Sequence, residues 1–163
     1  MSKDPVVIVA ARRTPMGAFQ GTLSSVSATD LSATACRAVL DDSGLNGEDL
    51  SEVLLGCVLP AGLGQAPARQ AALAAGIPKG VACTTVNKVC GSGMKTTMLG
   101  HDLIQAGSAT VVLTGGMESM SNAPYLMPKA RSGYRMGHQQ VLDHMFFDGL
   151  QSPFDGNMMG HFA

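Results

Sequence analysis

The chain has 163 residues, a formal net charge of −1, and 45% hydrophobic against 14% charged residues; this suits one packed domain, since domains commonly run to roughly 100 to 200 residues, alone or with a fragment of a second. Charge so near neutral leaves no global field to draw in nucleic acid or an anionic membrane. No apolar run approaches the about 20 residues that span a bilayer, and Lys3, Arg12, Arg13, Arg131 and Arg135 read as scattered surface charge.

In chain order, Val6-Val7-Ile8-Val9-Ala10 is short and continuously apolar, which predicts a strand buried on both faces. A strand so near the start leaves no room for a leader segment, so a cytoplasmic protein is expected. Residues 14–27 are rich in turn formers. Ser27-Ala28-Thr29-Asp30 then has the spacing of a capping box, opening a helix with Leu31, Ala35, Ala38 and Val39 on its apolar face and Gly44 at its end. Residues 53–59 repeat the buried-strand pattern, so strand, helix and strand form a parallel crossover unit. Residues 67–75 predict a short helix whose small side chains let another backbone come close, closed by Gly76 and Pro78.

A third strand is expected over residues 83–86, running into Asn87-Lys88-Val89-Cys90-Gly91-Ser92-Gly93. A helix over 94–106 follows, with Met94, Met98, Leu99 and Leu103 as its apolar positions and Gly107 as its stop. Val111-Val112-Leu113 gives a fourth strand that ends at Gly115-Gly116. Beyond Met117 the chain turns to Ser, Asn, Pro, Gly and Met, and only residues 141–147 predict a helix. The last residues carry neither a polar tail nor a helix stop, which suggests a cut chain.

The four cysteines show no Cys-x-x-Cys spacing, so reduced thiols are expected and a zinc site is not. Cys36 lies mid-helix, and Cys57 and Cys83 lie in strands, where a thiol is a small hydrophobe. Cys90 falls between strand and helix. There the free amides and dipole of the helix start favour a thiolate, which is the nucleophilic form. Its own amide could serve an oxyanion. Geometry alone leaves open a mere tight turn or a phosphate cradle.

Asn87-Lys88-Val89-Cys90-Gly91-Ser92-Gly93-Met94-Lys95 resembles the nucleophile segment of thiolases. Val9-Ala10-Ala11-Arg12-Arg13-Thr14-Pro15-Met16-Gly17, Gly64-Gln65-Ala66-Pro67-Ala68-Arg69-Gln70-Ala71-Ala72 and Gly115-Gly116-Met117-Glu118-Ser119-Met120-Ser121 match that family in the same order. So do Arg135-Met136-Gly137 and Asp148-Gly149-Leu150, and the acetyl-CoA acetyltransferase subgroup is the most similar. The resemblance implies an α/β fold: a βαβαβ mixed sheet with helices on its faces over residues 1–117, then the start of a loop domain over 118–163. It implies that Cys90 carries an acyl group between coenzyme A thioesters, with its amide in an oxyanion site. Coenzyme A and acetyl-CoA are then substrates, and no prosthetic group is expected.

By the same resemblance Met159 lines the acyl pocket, and Met158 stands where acetyl-specific relatives often carry histidine. Residues 121–138 correspond to a tetramer loop and 64–75 to a contact with a twofold neighbour, so a dimer of dimers is expected. Thiolases also use a histidine from a Gly-His-Pro segment and a second cysteine. Neither segment occurs in these 163 residues, and His101, His138, His144 and His161 read as surface or structural. The chain therefore corresponds to the N-terminal half and is expected to turn over negligibly alone. Rival readings are a ketoacyl synthase and a non-catalytic thiolase-like subunit.

Overall fold

The computed structural model describes residues 6–163, so Lys3 lies outside the described residues. Helix α1, Ala28–Ser43, begins where the capping pattern puts it: the Ser27 hydroxyl accepts the Asp30 amide at 3.0 Å and donates to the Asp30 carboxylate at 2.7 Å. Gly44 ends the helix at φ 69°, a left-handed conformation that glycine takes without steric cost. Strand β1, Glu52–Gly56, helix α2, Pro67–Ala74, strand β2, Ala82–Val86, helix α3, Ser92–Gln105, and strand β3, Val112–Gly116, follow in that order.

The three strands form a parallel sheet in the order β2-β1-β3, with Leu55 level with Thr85 and Gly115. Because side chains alternate along a strand, this register gives the sheet two faces. Val53, Leu55, Cys57 and Leu113 turn to one face and pack with Ala28, Ala33 and Cys36 of α1 and with Ala68, Ala71 and Ala72 of α2. Gly56, Thr114 and Gly116 turn to the other, where Ser92, Gly100 and Gly93 of α3 lie against them. Helices thus cover both faces, as the fold class expected.

Four local expectations are corrected. Residues 6–10 form no strand; Val7, Ile8 and Val9 are 66%, 80% and 66% exposed. They flank a cavity of about 730 Å³ beside β3, the edge strand on that side. Apolar β-branched residues make a good strand surface, but only a hydrogen-bonded neighbour makes a strand, and the pattern is silent on that. The fully buried stripe of α1 is Ala28, Thr29, Ser32, Ala33 and Cys36, leaving the expected Leu31, Ala35, Ala38 and Val39 half-buried. Small side chains let α1 approach α2 closely, and the larger residues flank the contact.

Helix α3 departs from expectation in the same way. It buries Ser92, Thr96 and Gly100, while Met94 and Met98 are 73% and 48% exposed. A β-carbon on Gly100 would stand 2.7 Å from Thr114 Cγ2, so the helix approaches β3 through its smallest residues. Finally, residues 141–147 are not one α-helix. Leu142–Asp143, strand β5, pairs antiparallel with β4, Tyr125–Leu126, and a π-helical turn follows at Met145–Leu150.

The loop before α2 carries backbone strain. Ala66, which precedes α2, sits at φ 47° and ψ 68°, a left-handed conformation that costs a residue with a β-carbon roughly 1 to 2 kcal/mol. Asparagine tolerates this region better. Ala66→Asn should therefore stabilise the fold by about 0.5 to 1 kcal/mol, read as a higher urea midpoint at unchanged slope; a lower midpoint would contradict the assignment of strain.

Candidate active site

The turn between β2 and α3 is built by its own backbone and two side chains. Asn87 Oδ1 accepts the Val89 amide at 2.8 Å, and the Gly91 amide donates to the Lys88 carbonyl at 3.1 Å. The Ser92 hydroxyl accepts the Lys88 amide at 2.8 Å and donates to the Val89 carbonyl at 2.6 Å, which also receives the Ser92 amide at 3.1 Å. So short a turn holds Val89 at φ 47°, left-handed and unusual for a β-branched residue. Cys90 follows it, Gly91 caps α3, and the first helical residue is Ser92.

Glycines let this turn sit where it does. A β-carbon on Gly56 would lie 2.6 Å from Ser92 Cβ and 2.8 Å from Ser92 C, and one on Gly116 would lie 3.3 Å from Gly93 Cα. The ends of β1 and β3 thus press directly on the first turn of α3. Thr96, wholly buried, has its hydroxyl 2.7 Å from the Gly93 carbonyl and 2.8 Å from that of Gly115, tying the same turn to β3.

Cys90 is exposed, whereas Cys36 and Cys57 are buried and Cys83 is half-buried. Its side borders a cavity of about 500 Å³ whose walls include Met16, Phe19, Leu31, Leu59 and Leu150. One charged residue, Glu118, is among them. Its carboxylate accepts the Val58 and Leu59 amides, each at 2.9 Å, so the end of β1 is fastened to the segment after β3. No sequence pattern marks Glu118 for this task, because a carboxylate that caps a neighbouring strand end leaves no periodic signal. The side-chain bonds of Ser92 and Asn87 leave no periodic signal either.

The other sequence candidates lie apart. Met159 opens a short turn, Met159–His161, and Met158 is bridged to Gln151; neither is among the residues lining the cavity beside Cys90. His144 is buried, with Nε2 accepting the Ala61 amide at 3.4 Å and Nδ1 2.5 Å from the Asp148 carboxylate. That places its proton on Nδ1 and makes it a strut between the loop after β1 and the π-helical turn, in keeping with a structural histidine. His101 is exposed beside Asp102.

Electrostatics separate the thiols. Burial, then the nearby Glu118 carboxylate, pushes the Cys57 thiol up from 9.0 to about 11, and its Sγ lies 3.7 Å from Glu118 Oε1. Burial also lifts Cys36 and Cys83 above the ordinary value. For Cys57 the sign follows directly: below pH 9.0 folded and unfolded chains both hold the proton and its stabilisation is complete. Between 9.0 and about 11 only the unfolded chain releases it, so stability falls as pH rises. The fall should reach about 2 to 3 kcal/mol across that window. Urea unfolding at stepped pH should show it, and Cys57→Ala should flatten that slope; an unchanged slope would contradict it.

Fold and site together define a class: a parallel α/β domain that presents an exposed thiol at a strand-to-helix turn. A family model of the thiolase N-terminal domain matches residues 6–163, and the chain belongs to the thiolase family. An acetyl-CoA acetyltransferase of Pseudomonas aeruginosa is 52% identical over 155 residues, covering 95% of this chain and 39% of the relative. Another from Schizosaccharomyces pombe is 48% identical over 163 residues, covering 100% and 41%. Acetyl-CoA acetyltransferase 2 of Arabidopsis thaliana is 52% identical over 158 residues, covering 97% and 39%. The chain thus spans about two fifths of the length of these curated relatives. Among the described residues no helix is long and apolar enough to cross a membrane.

Proposed function

We propose that this chain supplies the nucleophile of an acetyl-CoA C-acetyltransferase, making acetoacetyl-CoA or cleaving 3-ketoacyl-CoA. The observation that carries the reading is Cys90: among the four thiols it alone is exposed, and it stands at the start of α3 beside a cavity. As thiolate, Cys90 attacks the thioester carbonyl carbon of acetyl-CoA or, in cleavage, the 3-keto carbon of 3-ketoacyl-CoA, and negative charge gathers on the carbonyl oxygen. By family resemblance the Cys90 amide donates to it; the Lys88, Val89, Gly91 and Ser92 amides already bond within the turn. The tetrahedral intermediate collapses with loss of the coenzyme A thiolate or, in cleavage, of the acetyl-CoA enolate, which then takes up a proton, leaving an acyl thioester on Cys90. A second coenzyme A thiolate, or the enolate of acetyl-CoA, then attacks that thioester and frees Cys90. Splitting the transfer separates a nearly isoenergetic thioester exchange from the carbon-carbon step, which needs a stabilised enolate and an oxyanion site.

In this reading Met159 and, beside it, Met158 remain acyl-pocket residues on family resemblance. The Gly-His-Pro histidine and second cysteine that thiolases use do not occur in these 163 residues, so the chain alone turns over negligibly. A cytoplasmic homotetramer, a dimer of dimers, goes with the reading on the same resemblance. Steady-state kinetics on the protein expressed from its full reading frame test the activity. Parallel double-reciprocal lines for coenzyme A and acetoacetyl-CoA are expected, as ping-pong transfer requires; intersecting lines, or no turnover of acetoacetyl-CoA, would contradict it.

A further inference from the structure

We infer that Asn87 and Ser92 are positioning residues, whose side chains hold Val89 in a left-handed backbone and so aim Cys90 at its cavity. The functional consequence rests on the acyl-transfer reading above; the geometry does not. Three observations carry it. Val89 stands at φ 47°, where the β-carbon and its two branches crowd the backbone. Val89 is 46% exposed, so packing of the valine does not hold it there. Both polar groups of its backbone are instead gripped by side chains: the amide by Asn87 Oδ1 at 2.8 Å and the carbonyl by Ser92 Oγ at 2.6 Å.

The serine is not an ordinary helix cap. The capping position belongs to Gly91, and Ser92, one residue inside the helix, reaches back to the Lys88 amide as well as to the Val89 carbonyl. It is also the fixed point of the turn: Ser92 is buried against Gly56 of β1, while residues 87–90 are all exposed. Without the two side chains, Val89 is free to relax toward negative φ, and the residue that moves with it is Cys90. A strained conformer that persists only because its surroundings over-determine it is a common means of posing a reactive group.

The test is a rescue experiment on the protein expressed from its full reading frame, reading the second-order rate of Cys90 alkylation by iodoacetamide alongside acetyl transfer from acetyl-CoA. Ser92→Ala should slow alkylation by about tenfold. Adding Val89→Gly should restore most of the rate, because glycine keeps positive φ without the clasp. A serine that merely started the helix would not be rescued by a glycine, which loosens the chain further. Should Ser92→Ala fail to fold, Asn87→Ala with and without Val89→Gly gives the same comparison. Alkylation unchanged in the alanine variants, or lost and not regained with Val89→Gly, would overturn the inference. Rescue of alkylation in a protein that never takes acetyl from acetyl-CoA would leave the inference standing and remove the acyl-transfer reading instead.

Discussion

In the protein expressed from its full reading frame, Cys90→Ser should lower turnover by about 10³-fold or more, the loss of roughly 4 kcal/mol of transition-state stabilisation, while leaving thermal stability unchanged. A serine hydroxyl ionises far above neutral pH, and activating it calls for a base stronger than a thiol needs. Among the described residues, the groups beside Cys90 do not provide one: Glu118 is the one carboxylate on the cavity wall, and its two oxygens already accept the amides of Val58 and Leu59. Stability should hold because Cys90 is exposed and serine is close to cysteine in size, so no packed contact is lost. Cys36→Ala should behave in the opposite sense, sparing transfer and costing about 1 kcal/mol of stability for the buried sulfur it removes. Steady-state rates and urea midpoints on both variants separate the two cases; full turnover in Cys90→Ser would end the account.

The second large effect is expected at Gly56→Ala. The new methyl would lie 2.6 Å from Ser92 Cβ, 2.8 Å from Ser92 C and 2.9 Å from the Gly93 nitrogen. The last two are backbone atoms, which cannot rotate aside. Nor can β1 retreat, since it is hydrogen-bonded to β2 on one side and β3 on the other. Overpacking of this kind costs about 1 to 3 kcal/mol, and here the strain falls on the turn that carries Cys90. Gly56→Ala should thus lower the urea midpoint and slow Cys90 alkylation together. Gly80→Ala is the control: an added β-carbon there meets nothing within 4 Å, so both readings should stay near the parent values. Lost stability with undiminished alkylation would mean that the β1 contact supports the helix but not the thiol.

These two positions also show what a sequence can and cannot disclose. The place of Cys90 in the fold was legible because strand, turn and helix are each announced locally: by β-branched residues before it, by the glycines around it, and by a helical pattern after it. The caps of α1 were legible for the same reason, since Ser27 bonds within its own turn and Gly44 adopts positive φ within its own. Gly56 was not. Its meaning lies in Ser92, a residue remote in sequence that the crossover brings against it, and a missing side chain carries no hydrophobic signal. The same physics misdirected the reading of α3, where close approach selects Ser92, Thr96 and Gly100 for the buried side and leaves the methionines outside. Residues 6–10 have the composition of a strand without its hydrogen-bonded neighbour, which composition cannot report. Glu118 was hidden because a carboxylate that accepts two amides beyond another strand looks, in sequence, like any surface acid.

Everything functional rests on acyl transfer passing through one sulfur, and peptide mass spectrometry reads this directly. The protein from the full reading frame, incubated with acetyl-CoA and quenched in acid, should yield one acetyl group on the peptide that contains Cys90. Added coenzyme A should discharge it. An acetyl group on Cys36, Cys57 or Cys83 instead, or none on any cysteine while turnover continues, would contradict the assignment of Cys90 as the acyl carrier.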